Sequence, residues 1–290
     1  LIFNFNTFNH CREGKIIVED ITRILGCQMQ ALGHEVTWDD ETFCDGGLNV
    51  LLESFIDEGT MPRIAEAHAR GQRFLIVATE EPTENGFNHG LEPAMIDRQN
   101  AFPAAARLAE GILCLMPGEH VVSWYAQHAP AAYVEIGHSP AMEDFGAAEP
   151  DVDFGFYGRA TWRRDQILGH LGVGLRLSSL DVPRLERDAI MRRARVIVQV
   201  RANLEWQMVS NTRCATALNL GRPVIAEPHA HHSPWHEIVH FSDSLDTFYA
   251  DARAALANWK DLHAEQMAKF RARLSPERCV GDALRKIGVC

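Results

Sequence analysis

The sequence predicts an α/β protein of two domains, each built on a largely parallel sheet. Three observations predict it. Short apolar runs alternate with amphipathic helical runs through both halves of the chain, the pattern of strands joined by helical crossovers. Residues 137–151 interrupt that alternation with Pro140, Gly146, Pro150 and several small or acidic residues, a linker composition. Residues 213–228, RCATALNLGRPVIAEP, read as a helix, a glycine stop at Gly221, a short buried strand and a polar loop. That order sets a helix N-terminus and a strand C-terminus on one sheet edge, where such sheets bind ligands, phosphorylated ones in particular.

The elements follow in order. Residues 1–6 form a first strand. Residues 15–32 form an amphipathic helix on Ile17, Ile21, Ile24 and Leu25, closed at Gly33. Strands are expected at 35–38 and 49–53, then a helix at 62–70 ended by Gly71. FLIVAT, 74–79, is the clearest strand of this half. A helix runs from 93 to about 110, with Pro103 expected to kink or divide it. A strand at 112–116, a helix at 119–128 and a strand at 132–136 complete a first domain over 1–138. Beyond the linker, strands at 153–157, 173–177, 195–200, 223–226 and 238–241 alternate with helices at 161–171, 182–194 and 212–220. RVIVQV owes its strand character to β-branched residues. Helices at 244–259 and 261–274 finish a second domain over 151–275, and a last helical segment covers about 276–287.

Composition limits the function. The 290 residues suit two domains of ordinary size, and 46% hydrophobic with 23% charged residues is typical of a soluble globular chain. A net charge of −11 argues against a general nucleic-acid binder, because phosphate backbones need a basic surface. No apolar run approaches the roughly 20 residues of a membrane span, and no secretory signal is visible. Cys11, Cys27, Cys44, Cys114, Cys214, Cys279 and Cys290 are scattered without a CxxC pair, so they read as reduced thiols of a cytoplasmic protein.

Candidate chemistry lies in the loops after the strands. In Gly158-Arg159-Ala160-Thr161-Trp162-Arg163-Arg164, Gly158 allows close backbone approach, Thr161 can cap a helix, and the arginines add positive charge. A diphosphate fits that chemistry; a capped helix with solvated arginines is the competing reading. Arg201 opens the loop after the 195–200 strand. Ser210 or Asn211 can cap the next helix, with Thr212 beside them, and Arg213 lies in its first turn, where a cation opposes the helix dipole. Pairing with a nearby acid is its alternative. The loop from Glu227 holds His229, His231, His232 and His236. It matches no zinc signature, and polar ligand contact is preferred to a metal or a plain surface loop. In the first half, His10 follows the first strand and has the pKa range of a general base. Glu80 and Glu81 end the strongest strand and are further candidates, against a solvated acidic loop. His89 is a weaker one.

Several of these residues carry a family resemblance. FYGRATWRR, the helix–strand pair over 182–200, RCATALNLGRPVIAE and the run FSDSLDTFYADARAAL resemble the C-terminal domain of GT-B glycosyltransferases, especially the spore-maturation-protein-like group. The first half resembles the N-terminal domain more loosely, through its order of elements and its ending GILCLMPGEH…AAYVEIGHSP. The resemblance implies two Rossmann-like domains facing a cleft, with residues 276–290 crossing back to the first domain. It implies a nucleotide-sugar donor on the second domain as co-substrate, with no metal and no other cofactor, and a carbohydrate, protein or small-molecule acceptor on the first. The donor-binding set is then Gly158, Arg159, Arg163, Arg201, Asn211, Thr212, Arg213, Thr216, Glu227, His229, His231 and His232, and the base is His10, Glu80 or Glu81. Many retaining members carry glutamates where this chain has Thr216 and Met208, so stereochemistry stays open. A nucleotide-sugar epimerase and a binding module without catalysis are the alternatives.

Overall fold

A computed structural model describes residues 1–90, 93–146, 149–178, 182–204, 210–229 and 233–290. The chain divides into two compact units. One holds Leu1–Val18, Thr22–Ile136 and Pro276–Cys290; the other holds Gly137–Ser275 together with Glu19–Ile21.

The first unit contains β1 (Ile2–Asn6), α1 (Arg12–Ala31), β2 (Glu35–Trp38), β3 (Leu48–Leu52), α2 (Thr60–Ala69), β4 (Arg73–Ala78), α3 (Pro93–Ala106), β5 (Gly111–Cys114), α4 (Glu119–Ala126) and β6 (Ala131–Tyr133). Its six strands lie in the order β2-β1-β3-β4-β5-β6, all neighbours parallel. β3 is buried throughout and β4 from Phe74 onward. Continuous burial without alternation marks a parallel sheet covered on both faces. Phe55, Phe74, Phe87, Phe102 and Tyr125 fill one side of it, with the Phe102 and Tyr125 rings 4.9 Å apart and edge-on. Pro103 does not divide α3, which continues from Pro93 to Ala106. Phe102, Ala105 and Ala106 are buried on either side of the proline, and their packing holds the turn through the missing hydrogen bond.

The second unit contains β7 (Val152–Tyr157), α5 (Trp162–Leu171), β8 (Leu175–Leu177), α6 (Arg184–Met191), β9 (Ala194–Gln199), α7 (Asn211–Asn219), β10 (Val224–Ala226), β11 (His240–Phe241), α8 (Leu245–Ala255) and α9 (Trp259–Arg273). Its order is β11-β10-β9-β7-β8, again all parallel. The strand expected over 238–241 shortens to two residues, preceded by a 3-10 turn at Pro234–Glu237. That shortening leaves Val224 without a β11 partner. Gln266 of α9 supplies one: its Oε1 accepts from the Val224 N–H at 2.8 Å and its Nε2 donates to the Val224 carbonyl at 2.9 Å. A buried side-chain amide thus extends the ladder where the strand ends. Trp259, expected to end one helix, begins the next.

The closing segment is a π-helical turn at Glu277–Gly281 followed by α10 (Asp282–Lys286). It packs within the first unit, and Gly111 makes room for it. A Cβ there would lie 2.7 Å from Ile287 Cδ1. Among the described residues no helix is long and apolar enough to cross a membrane.

Replacing Gln266 by Leu leaves the Val224 N–H and C=O buried without partners. Stability should fall by roughly 2–4 kcal/mol, read as a lower urea midpoint with an unchanged m value.

Candidate active site

Parallel strands deliver their carboxyl ends to one edge, and ligands bind there at the point where strand order reverses. In the first unit that point lies between β1 and β3, and in the second between β7 and β9. A polar cluster occupies each.

At the second unit's switch point, Gly158 follows β7 with φ of +148°, and a Cβ there would come within 3.0 Å of Arg213 Nη1. Glycine is therefore what lets Arg213 lie against the strand end. Arg213 donates weakly to the Tyr157 carbonyl at 3.4 Å and lies 5.8 Å over the Phe156 ring. Among the described residues no carboxylate pairs with it. Burial lowers its pKa, so the guanidinium is short of compensation at the N-terminus of α7. Ser210, the cap residue of that helix, makes no side-chain capping bond. Asn211 and Thr212 occupy its first turn, half-buried. Arg159 is exposed one residue beyond Gly158.

The neighbouring residues build the frame. Thr161 caps α5, accepting from the Arg164 N–H at 3.3 Å and donating to the Ala202 carbonyl at 3.0 Å. Arg164 is buried and donates to the Val200 and Arg159 carbonyls at 2.9 and 2.8 Å, fastening the ends of β7 and β9 together. Burial pushes its pKa down to about 9. Glu227, at the end of β10, is fully buried. It accepts a bidentate pair from Arg163, 2.8 Å on one arm, and the Arg201 N–H, with Arg201 Nε at 3.7 Å. Arg163 Nη1 also donates to the Arg201 carbonyl at 3.0 Å.

Several expected donor ligands are engaged within the fold. Glu227 has no exposed surface, and Arg163 pairs with it. Thr216 faces inward at 5% exposure, because α7 is buried from Cys214 onward. His229 donates from Nδ1 to the Glu227 carbonyl, 2.8 Å away, and packs edge-on to Phe241 at 5.5 Å. His236 stacks on the same ring at 3.9 Å. Burial lowers the His229 pKa to about 4. His231, His232 and Met208 lie outside the described residues. Among the described residues no three His, Cys, Asp or Glu side chains are placed to hold a metal ion.

The first unit's cluster centres on a residue the sequence reading passed over. Glu53 follows β3, 2% exposed. Arg98 of α3 bridges it to Glu80, with Nη2 3.2 Å from Glu53 Oε1 and 3.0 Å from Glu80 Oε1. Tyr125 of α4 and the Thr79 N–H reach Glu53 Oε2 at 3.1 and 3.0 Å. Burial, then the proximity of Glu80, raises the Glu53 pKa to about 8 against the pull of Arg98. Asn88 donates to Glu80 from a left-handed backbone, φ +51°, with His89 next to it at +63°. Two consecutive non-glycine residues in that region cost energy, and Asn88 is held there by the Glu81 N–H and carbonyl as well, at 3.0 and 2.7 Å. Glu81 itself meets exposed His120 at 3.1 Å.

His10, on the other side of the switch point, has a buried Nε2 with no hydrogen-bond partner. Burial first, and the Arg98 charge second, lower its pKa to about 4. The structure thus gathers His10, Glu80, Arg98 and Glu53 into one neighbourhood, with Glu81 at its rim. The signal for Glu53 was a glutamate directly after the wholly apolar end of LNVLLE; nothing local marks Arg98, which arrives from a helix 45 residues further on.

No protein-family model matches the chain, and the search of curated proteins by sequence finds no match. Solved structures do resemble it. T4 phage β-glucosyltransferase aligns over 99% of this chain and 100% of its own length at TM-score 0.59 and 8% identity. A structure of the DNA-modifying enzyme β-glucosyltransferase, with and without its substrate uridine diphosphoglucose, gives 0.57 over the same shares at 8% identity. TarM aligns over 83% of this chain at TM-score 0.51 and 10% identity, and this chain spans 55% of TarM. The fold is therefore α/β with two Rossmann-like parallel-sheet units of the GT-B type.

Arg163→Ala strips buried Glu227 of its bidentate partner, leaving it Arg201 alone, and should cost roughly 3–5 kcal/mol. Exchanging the pair for Arg163→Met with Glu227→Leu should recover most of that in the same denaturant titration. Acid should weaken both units. His10 and His229 stay neutral in the fold while the unfolded chain gains their protons, so stability present above pH 6.5 is lost as pH falls toward about 4. Replacing both by Gln should flatten the fall in thermal midpoint over that window.

Proposed function

We propose that this protein is a glycosyltransferase that moves a sugar, of hexosyl type, from a nucleotide-sugar donor to an acceptor hydroxyl, within or near the spore-maturation-protein-like group. The observation that carries the reading is Arg213: a guanidinium with no carboxylate partner among the described residues, at a helix N-terminus, against the glycine of a switch point. A departing nucleoside diphosphate is the ligand that such a place suits. Arg213, with Arg159 beside it, stabilises charge that grows on the diphosphate as the bond to the anomeric carbon breaks. Positive charge comes from the protein's own guanidinium groups. The fold likeness to a glucosyltransferase whose substrate is uridine diphosphoglucose supports the donor class.

The acceptor belongs on the first unit. Its oxygen attacks the anomeric carbon and gives its proton to a group of the His10–Glu80–Glu81 set. His10 is neutral at neutral pH with Nε2 unpartnered, so it can accept a hydrogen bond from a hydroxyl, though its low pKa makes it a weak base. Glu80 is a second acceptor, partly open at 17% side-chain exposure.

A thermal-shift screen against UDP, GDP, ADP, CMP and dTDP identifies the nucleotide, since native-state binding raises the apparent midpoint. Arg213→Ala should weaken the responding nucleotide roughly 10- to 100-fold by calorimetry, the value of a charge-assisted contact. If Arg159→Ala and Arg213→Ala both retain full binding, the diphosphate assignment fails.

A further inference from the structure

Around Glu53 the hydrogens of Arg98 Nη2 and Tyr125 do not suffice for two charged glutamates, even with the Thr79 hydroxyl donating to Glu53 Oε1 at 3.4 Å. Arg98 Nη2 carries two hydrogens and faces three acceptors: the Glu53 carbonyl at 3.1 Å, Glu53 Oε1 at 3.2 Å and Glu80 Oε1 at 3.0 Å. The Tyr125 hydroxyl carries one hydrogen and lies 2.9 Å from the Glu80 carbonyl oxygen and 3.1 Å from Glu53 Oε2. A backbone carbonyl only accepts. Once the tyrosine hydrogen goes to it, two lone-pair oxygens face each other at 3.1 Å unless Glu53 brings a proton. A protonated Oε2 donates to Tyr125 and still has a lone pair for the Thr79 N–H at 3.0 Å. Charge points the same way. Two carboxylates against one guanidinium leave a net negative charge at a site where Glu53 is 2% exposed, an arrangement that burial penalises.

We propose that Glu53 is held at neutral pH as the neutral carboxylic acid, its Oε2 proton donated to Tyr125, and that it serves as a positioning residue which reserves the charge of Arg98 for Glu80. Every element around it agrees. Glu80 approaches from the loop after β4, Arg98 from α3, Tyr125 from α4 and Cys114 from β5; His10 meets Arg98 from the loop after β1. Arg98 is the one cation among these, since burial keeps His10 neutral. Burial pushes Cys114 up to about 12 and raises Tyr125 well above its ordinary value, so neither ionises before Glu53. The protonation stands on geometry alone; the part assigned to Glu80 rests on the transferase reading.

The test is a carboxyl ¹³C NMR titration of the full chain. One glutamate resonance should titrate near pH 8, assigned to Glu53 through the backbone and missing from Glu53→Gln. The raised pKa also carries a stability consequence. The contribution is complete below the ordinary glutamate pKa and is lost as pH rises through about 8. Relative to Glu53→Gln, which mimics the protonated form, wild type should therefore lose thermal midpoint as pH rises from about 4.5 to about 8, with no further loss from this group above it. A Glu53 resonance that titrates below about pH 6, or a near-8 titration that persists in Glu53→Gln, overturns the proposal. Should the variant not fold, the wild-type resonance decides by itself. No turnover is measured, so failure here is distinct from failure of the transferase reading.

Discussion

Each unit places a glutamate directly after a strand with no exposed residue, and the carboxyl edge is arranged around pairing it. Glu53 follows β3 and Glu227 follows β10, at 2% and 0% exposure. A buried carboxylate without partners is among the costliest groups a fold can hold. Both are met by an arginine from a helix, Arg98 in one unit and Arg163 in the other. The requirement to satisfy these two groups fixes where α3 and α5 lie against their sheets and which backbone groups of the adjoining loops point inward.

The two solutions differ in charge. Among the described residues around Glu227 there are two guanidinium groups for one carboxylate, with Arg164 close by and Arg213 without a carboxylate partner, so the described part of the second unit's edge carries excess positive charge. Around Glu53 there are two carboxylates for one guanidinium. One edge suits a phosphorylated group, the other a group that gives up a proton. Each polarity arises from the count of ionic partners at a strand end.

Much of this was readable from residue patterns. The strand–helix alternation and the cap at Thr161 rest on local rules of periodicity and capping, and the structure places the elements within a few residues of them. Arg213 stood out because it opposes the helix dipole, and the structure leaves it without an acid among the described residues. What stayed hidden depends on distance in sequence. Arg163 and Arg213 look alike in the sequence; only the meeting of residues 163 and 227 in space separates an arginine paired with a buried glutamate from one with no carboxylate partner among the described residues. Thr216 looked available because helix position was known but helix facing was not. Glu53 read as the end of a strand, and its significance appears only when Glu80, Arg98 and Tyr125 converge on it.

The contact between Gly111 and Ile287 has a consequence for the order in which the chain can assemble. Gly137–Ser275 forms nearly all of the second unit from one continuous stretch, whereas the first unit draws on Pro276–Cys290 as well. A chain emerging from the ribosome therefore presents β5 with its hollow at Gly111 unfilled until the last segment has been made. The second unit, though later in sequence, has nearly all its residues to hand before the first unit does. Domains that fold during synthesis normally do so from the N-terminal side; here the first unit waits on Pro276–Cys290, made after nearly all of the second.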